Sequence, residues 1–305
     1  MKLIEYQQSN GIALDEQLLL INNPLFTKGI YKVMNNHPVI SYINSKLRKI
    51  FTDDKKVVLS LPKRNSILFI GYPDKSYDKL EYLERLFNLI SKKSKYKYSL
   101  LIGKGDYELT EDNLISMPEN LVHIFANNIN FPDKRISYFP MGRDFRSAGL
   151  FGDFLPGSKK NNLVYCNFSL NTHSVRQEIF NNIKDMDFIQ FEHMGEFLSY
   201  SISREQFFER LSSSKYSICP RGNGIDTFRL WDSLYLGTIP IVVKEALFHK
   251  ELEDLPILFL ESPEEFSKLT NDFLESKYQD MLNKEWNYEK LKLSYWRSLI
   301  NNTLQ

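Results

Sequence analysis

The sequence predicts an α/β protein of two domains, each built on an open parallel sheet. Three observations lead there. Short apolar, β-rich runs alternate with amphipathic helical stretches along most of the chain. A stretch of turn and polar residues, Leu155-Pro-Gly-Ser-Lys-Lys-Asn-Asn162, separates two such series. The 305 residues are enough for two cores of ordinary size.

In the first half, after a helical and irregular opening, residues 57–61, 67–71, 98–103, 121–125 and 136–139 read as strands. Between the second and third, residues 78–92 place Leu80, Leu83, Phe87 and Ile90 on one stripe, so this segment is an amphipathic helix and the local order is βαβ. The second half restarts with a strand at 163–168, a helix at 172–183, a strand at 188–191 and a helix at 204–211. After 243 come a short helix, a strand at 257–260 and an interrupted helical tail over 263–300.

The most informative run is Tyr216-Ser-Ile-Cys-Pro-Arg-Gly-Asn-Gly-Ile-Asp-Thr-Phe-Arg-Leu-Trp-Asp-Ser-Leu-Tyr-Leu-Gly-Thr-Ile-Pro-Ile-Val-Val243. It reads as a buried strand, a Pro-Arg-Gly-Asn-Gly loop, a helix over 226–236 closed by Gly237, and a second buried strand. The loop, with Gly222, Asn223 and Gly224, lets backbone come close to a neighbour and delivers the chain into a helix N-terminus, a natural seat for phosphate. Arg221 adds a planar fork that suits phosphate oxygens. Within the helix, Thr227, Trp231 and Leu234 recur at i, i+4 and i+7, with Trp231 and Leu234 toward the core. Arg229 and Asp232 share the opposite side, as a surface ion pair or as ligand contacts. Asp226 at the N-terminus suits helix capping, and Thr227 suits capping or a hydroxyl contact to a ligand.

Cys-Pro-Arg-Gly-x-Gly, then Thr-x-Arg-Leu-x-acidic, then Gly-x-Ile-Pro-Ile-Val resembles the signature of exostosin-like glycosyltransferases. That resemblance implies a GT-B fold: two Rossmann-like α/β domains facing an interdomain cleft, with a nucleotide-sugar donor against the second. The family's acidic helix residue, usually Glu and thought to hold sugar or ribose hydroxyls, is matched here by the shorter Asp232. The segment Leu163-Val-Tyr-Cys-Asn-Phe-Ser-Leu-Asn-Thr-His-Ser-Val-Arg-Gln-Glu178 is similar to the opening of the donor domain. There Ser169, Asn171 and Thr172 stand at the carboxyl end of a strand, the usual ligand position in open α/β sheets, and Arg176 follows in the helix as a diphosphate contact. Capping by Asn171 or Thr172 with a surface Arg176 is the equal alternative. Leu121-Val-His-Ile-Phe-Ala-Asn-Asn and Arg135-Ile-Ser-Tyr-Phe-Pro-Met-Gly142 are similar to the segment that closes the first domain. The domains so expected are 1–155 on the acceptor side, 156–285 for the donor, and a C-terminal helix over 286–305 that is a candidate to pack back on the first.

Composition agrees with an ordinary globular protein, 42% hydrophobic and 25% charged. A net charge of +1 creates no global field for nucleic acid. The basic run Ser91-Lys-Lys-Ser-Lys-Tyr-Lys-Tyr98 reads as a solvated helix end, with peripheral contact to anionic lipid as the alternative. The two cysteines, Cys166 and Cys219, fall in strands without metal or disulfide spacing and read as buried and reduced. The N-terminus meets charged and amide residues too early for a signal peptide, and no apolar stretch is long enough to span a bilayer, so a cytoplasmic enzyme is expected, peripheral to a membrane at most.

The resemblance implies an inverting transferase that moves a sugar from a nucleotide-sugar donor to a glycan or lipid-linked glycan acceptor. Leaving-diphosphate charge would be met by N–H dipoles at residues 222–227, Arg221, and Arg176 or Arg229. Asp185-Met-Asp187 reads as a polar turn rather than a metal-diphosphate motif, so no metal or cofactor is expected. Inversion needs a base to deprotonate the acceptor hydroxyl. Asp106, in Gly103-Lys-Gly-Asp-Tyr107, is the first candidate, with Asp144, His37 and Glu108 as rivals. Alternatives are a retaining GT-B transferase, a nucleotide-sugar epimerase, or a non-catalytic carbohydrate- or nucleotide-binding module.

Overall fold

The computed structural model describes residues 1–9, 11, 12, 16, 65–71, 79–103, 106, 108–143, 156–192, 202–244 and 247–303. The expected strand at 57–61 lies outside the described residues, as do His37 and Asp144. The chain divides into two compact units, one of Met1–Leu19 and Gly142–Leu293, the other of Leu20–Met141 and Ser294–Gln305. The division therefore falls at 141/142 rather than at the turn-rich stretch near 155, and the first residues belong with the second half of the chain.

In the unit that contains Leu20–Met141, β1 (Ser66–Gly71), β2 (Tyr98–Gly103), β3 (Leu121–Ala126) and β4 (Ile136–Tyr138) form a parallel sheet in chain order. The helix α2 (Lys79–Ser91) crosses from β1 to β2, and its stripe of Leu83, Phe87 and Ile90 is buried. The last helix of the chain, α7 (Leu293–Asn302), belongs to this unit from Ser294 onward. Trp296 meets the rings of Tyr138 and Phe139 edge-on, at 5.8 and 6.1 Å between centroids. The hydroxyls of Ser99 and Thr303 lie 2.7 Å apart.

The other unit carries five parallel strands, β5 (Asn162–Cys166), β6 (Ile189–Phe191), β7 (Ser214–Ile218), β8 (Ile239–Val243) and β9 (Leu258–Leu260), in the order β6-β5-β7-β8-β9. Every residue of β8 is buried, as expected of a central strand covered on both faces. The helix α3 (Ser174–Ile183) joins β5 to β6, α4 (Arg204–Ser212) precedes β7, α5 (Phe228–Tyr235) joins β7 to β8, and α6 (Asn271–Asn283) follows β9.

Side-chain parity shows which face each helix covers. Tyr216 on β7 donates its hydroxyl to the Leu274 carbonyl of α6 at 2.9 Å, and Phe191 on β6 packs on Phe180 of α3. The alternate residues turn the other way: Tyr165 packs on Phe207 of α4, and the Ser217 hydroxyl lies 2.7 Å from that of Ser233 in α5. Thus α3 and α6 lie on one face, α4 and α5 on the other.

The first helix, α1 (Leu3–Gln7), completes this unit. The Tyr6 hydroxyl donates to the Tyr235 carbonyl at 2.9 Å, and Gln7 Nε2 donates to the Gly237 carbonyl at 2.6 Å. Gly237 adopts φ +64° and ends α5, its N–H bonding the Leu234 carbonyl while the Thr238 N–H bonds that of Ser233. That pair of bonds is a Schellman cap, which favours glycine because a side chain is strained at positive φ.

Candidate functional site

Numbered in chain order within their unit, the strands β5 to β9 run 2-1-3-4-5 across the sheet. Chain leaving the carboxyl end of β5 enters α3 on one face, and chain leaving β7 enters α5 on the other. The two loops diverge and open a crevice between them, the topological switch point at which open α/β sheets bind ligands. The Pro-Arg-Gly-Asn-Gly loop forms one wall and Asn167–Thr172 the other.

Arg176 spans the floor of this crevice. It is 7% exposed. Its Nε donates to the Arg221 carbonyl at 2.6 Å and its Nη1 to the Ser169 carbonyl at 3.0 Å, while Nη2 reaches toward the Pro220 carbonyl at 3.5 Å. The guanidinium lies over the Phe168 ring, 5.6 Å from its centroid. Arg176 is thus not the surface arginine that one reading of the sequence allowed. It ties the two loops together through their carbonyls, which cationic donors bind more strongly than neutral ones do.

Gly222 sits against this staple. A Cβ there would lie 3.1 Å from Arg176 Nη2 and 3.9 Å from Thr172 Oγ1. The need for glycine thus has a cause within the protein, close approach of Arg176, in addition to any ligand. Its N–H bonds the Gly224 carbonyl at 2.9 Å and tightens the turn. Thr172 Oγ1 is buried and makes no hydrogen bond. A buried hydroxyl without a partner is costly, so its position beside Gly222 marks a place that a ligand oxygen would satisfy. Asn171 is exposed, and Ser169 and Arg221 are half-buried. The cap of α3 is neither Asn171 nor Thr172 but His173, whose Nδ1 accepts the Val175 N–H at 3.2 Å.

The helix α5 begins at Phe228, with Thr227 as its N-cap residue. The Thr227 side chain makes no capping hydrogen bond and is half-buried at the loop's end. Asp226 is 2% exposed and its Oδ1 accepts the Trp231 indole N–H at 2.8 Å, which fixes the first turn of the helix from within. Asn223 is half-buried and Gly224 buried. The guanidinium of Arg229 lies over the Phe207 ring at 5.9 Å, with its Nε buried and without a hydrogen-bond partner.

Asp232 departs from its expected place. It is 2% exposed and accepts from Nε of Arg143, itself 0% exposed, at 3.3 Å. The Arg143 guanidinium lies over the Tyr235 ring at 5.4 Å. The ion pair of Asp232 is therefore internal and made with Arg143, not a surface pair with Arg229. Sequence reasoning missed Arg143. The usable signal was an acid directly after the core-facing Trp231, whose burial calls for a cation, and an arginine directly after the Phe-Pro-Met-Gly run.

Cys166 and Cys219 are buried free thiols at the ends of β5 and β7, and burial pushes both above the usual thiol range. In the other unit, Asp106 is exposed after β2 and Glu108 is half-buried. Among the described residues, no helix is long and apolar enough to cross a membrane.

No family model matches this chain, and no curated protein matches it in sequence. Solved structures similar to it include an α1,3-fucosyltransferase, at 14% identity over 87% of this chain and 85% of that chain, with a TM-score of 0.45. An α,α-trehalose-phosphate synthase (UDP-forming) from Burkholderia vietnamiensis is similar at 10% identity over 92% and 80% of the two chains, with a TM-score of 0.47. An E. coli structure described as trehalose-6-phosphate bound with UDP-2-fluoro glucose is similar at 10% identity over 88% and 77%, also at 0.47.

Proposed function

We propose that this chain is a GT-B glycosyltransferase of exostosin-like type, which inverts the anomeric centre as it moves a sugar from a nucleotide-sugar donor to a glycan or lipid-linked glycan acceptor. One observation carries the reading. The glycine-arginine loop and the N-terminus of α5 meet at the β5/β7 switch point, beside a buried, unsatisfied Thr172 hydroxyl.

In this reading the donor's diphosphate lies against the loop of Gly222, Asn223 and Gly224 and against Thr227. Arg221 faces its oxygens, and Ser169, Asn171 and Thr172 close the opposite wall. As the glycosidic bond breaks, negative charge builds on the leaving diphosphate. Fixed amide dipoles and Arg221 then bind the transition state more tightly than the ground state. This positive set would do the work of a metal, so the reaction is proposed to be metal-independent. Arg176 contributes by holding the loop carbonyls, and Arg229 adds positive potential behind the loop. Asp106 is proposed as the base that takes the proton from the acceptor hydroxyl. A cytoplasmic site of action, peripheral to a membrane at most, accompanies the reading.

The test is a thermal-shift panel of nucleoside diphosphates and nucleotide sugars, followed by donor turnover. A ligand at a hundred times its Kd stabilises by about 2.7 kcal/mol. One nucleotide family should raise the melting temperature, and Arg221→Ala should abolish both the shift and turnover while leaving the unliganded midpoint in place. A chain that no nucleotide stabilises would overturn the proposal.

A further inference from the structure

A second polar group stands on the carboxyl edge of the same sheet. Glu192 directly follows β6, and its N–H bonds the Cys166 carbonyl at the end of β5 at 2.9 Å. Its Oε2 accepts the Tyr165 hydroxyl at 2.9 Å and its Oε1 accepts Nε of Arg210 at 3.1 Å. Asn167, the first residue past β5, donates from Nδ2 to the Tyr165 oxygen at 3.1 Å. Tyr165 packs on Phe207, and the Arg229 guanidinium, in the first turn of α5, lies over that same ring. The ends of β5 and β6 and the start of α5 are thereby linked on the face that carries α4 and α5.

Glu192 is well placed to take a ligand. Its side chain is 19% exposed, whereas Asp226 and Asp232 are each 2% exposed and engaged inside the unit. A carboxylate offers about four lone-pair positions, of which Tyr165 and Arg210 use two, so acceptor capacity remains on a side chain whose orientation is already fixed. Its position in the topology is also specific. The strand β6 is the second of the unit's first βαβ, and a carboxylate at the end of that strand binds ribose hydroxyls in dinucleotide-binding sheets. Two strand spacings, about 10 Å, separate β6 from β7, a distance that a nucleoside 5′-diphosphate can bridge.

We propose that Glu192 accepts hydrogen bonds from the ribose hydroxyls of the donor's nucleoside, the part the sequence assigned to Asp232. The proposal rests on the nucleotide-sugar reading and narrows it: the ligand is a ribonucleotide, with its diphosphate at the β7 loop and its ribose beside β6. Loss of a hydrogen bond to a charged acceptor costs about ten- to a hundredfold in affinity.

The test is calorimetric titration of the full chain with ribonucleoside diphosphates, their 2′-deoxy counterparts and inorganic pyrophosphate. The wild-type chain should bind its preferred ribonucleotide at least about tenfold more tightly than the 2′-deoxy form. Glu192→Gln should shrink that gap, while Arg210→Ala, which keeps the carboxylate, should retain it. Equal affinity for the two sugars in the wild-type chain, or an unchanged gap in Glu192→Gln, would overturn the role of Glu192 while leaving nucleotide binding intact. Because the first of these readouts needs no variant, it decides the matter even if Glu192→Gln folds poorly. Binding of none of the nucleotides would overturn this role together with the proposed function.

Discussion

The Arg176 guanidinium and Gly222 occupy complementary space: a Cβ on Gly222 would stand 3.1 Å from Nη2 of a side chain already committed to the carbonyls of Arg221 and Ser169. The arginine cannot swing away without giving up those bonds. Gly222→Ala is therefore expected to destabilise by about 1–3 kcal/mol through overpacking. Arg176→Ala leaves the part-buried carbonyls of Arg221 and Ser169 without this donor and should cost about 1 kcal/mol or more. Urea unfolding of both variants and of the double variant checks this. Because both single changes break the same staple, the double variant should lose clearly less than the sum of the two. Full additivity would show that Gly222 and Arg176 act independently.

The Arg143–Asp232 pair gives a prediction that separates an internal role for Asp232 from a ligand role. Asp232→Ala would leave a cation buried without its carboxylate, a loss of about 3–5 kcal/mol. Arg143→Met combined with Asp232→Leu removes both charges and should recover most of that stability. Equilibrium denaturation of the three variants is the measurement. An Asp232→Ala chain with a wild-type unfolding midpoint and impaired nucleotide binding would return Asp232 to the ligand surface.

Much of this fold was legible because its signals are local. The alternation of apolar runs with the Leu83, Phe87 and Ile90 stripe identified both parallel sheets, and Gly237 announced the end of α5 by the positive φ its cap requires. What the sequence could not supply were pairings over long separations. Asp232 meets Arg143 from 89 positions away, and Arg176 meets the Arg221 carbonyl from 45. A pattern of residue types shows that an acid or an arginine is present, but the partner that consumes it depends on tertiary packing. The boundary at 141/142 was missed for a similar reason. Gly142, at φ +68°, stands at the division without a turn-rich stretch around it, whereas the turn-rich residues 156–162 lie within one unit, with Pro156 close to Gly11 and Gly237.

Lys160 closes the C-terminal ends of two helices at once. Its Nζ donates to the carbonyl of Ser212 at the end of α4 at 2.7 Å, to that of Leu236 after α5 at 3.0 Å, and to the Thr238 hydroxyl at 3.1 Å. A cation suits both sites, because the last carbonyls of a helix carry its negative dipole end. Lys160→Met keeps the stem and removes the donors, and should destabilise by about 1–3 kcal/mol. The expected signature by hydrogen exchange is faster opening in the last turns of α4 and α5, with the first turns unchanged. A Lys160→Met chain as stable as wild type would show that other donors serve these carbonyls.

His249 makes the stability of the larger unit sensitive to acid. It is 2% exposed, its ring lies 5.6 Å from that of Phe259, and burial together with the Lys244 ammonium pushes its pKa down to about 4 from the usual 6.5. In the folded chain the imidazole thus stays neutral down to about pH 4, while in the unfolded chain it takes up a proton near pH 6.5. Between those values the unfolded state binds more protons, so stability falls as pH falls. The contribution is fully present above about pH 6.5 and is lost progressively toward pH 4, a change on the order of 3 kcal/mol. Urea midpoints measured from pH 7.5 to 4.5 should decline for the wild-type chain. In His249→Leu, which keeps an apolar side chain against Phe259, the decline over this window should be shallower. An equal slope in the two proteins would assign the acid sensitivity to carboxylates instead.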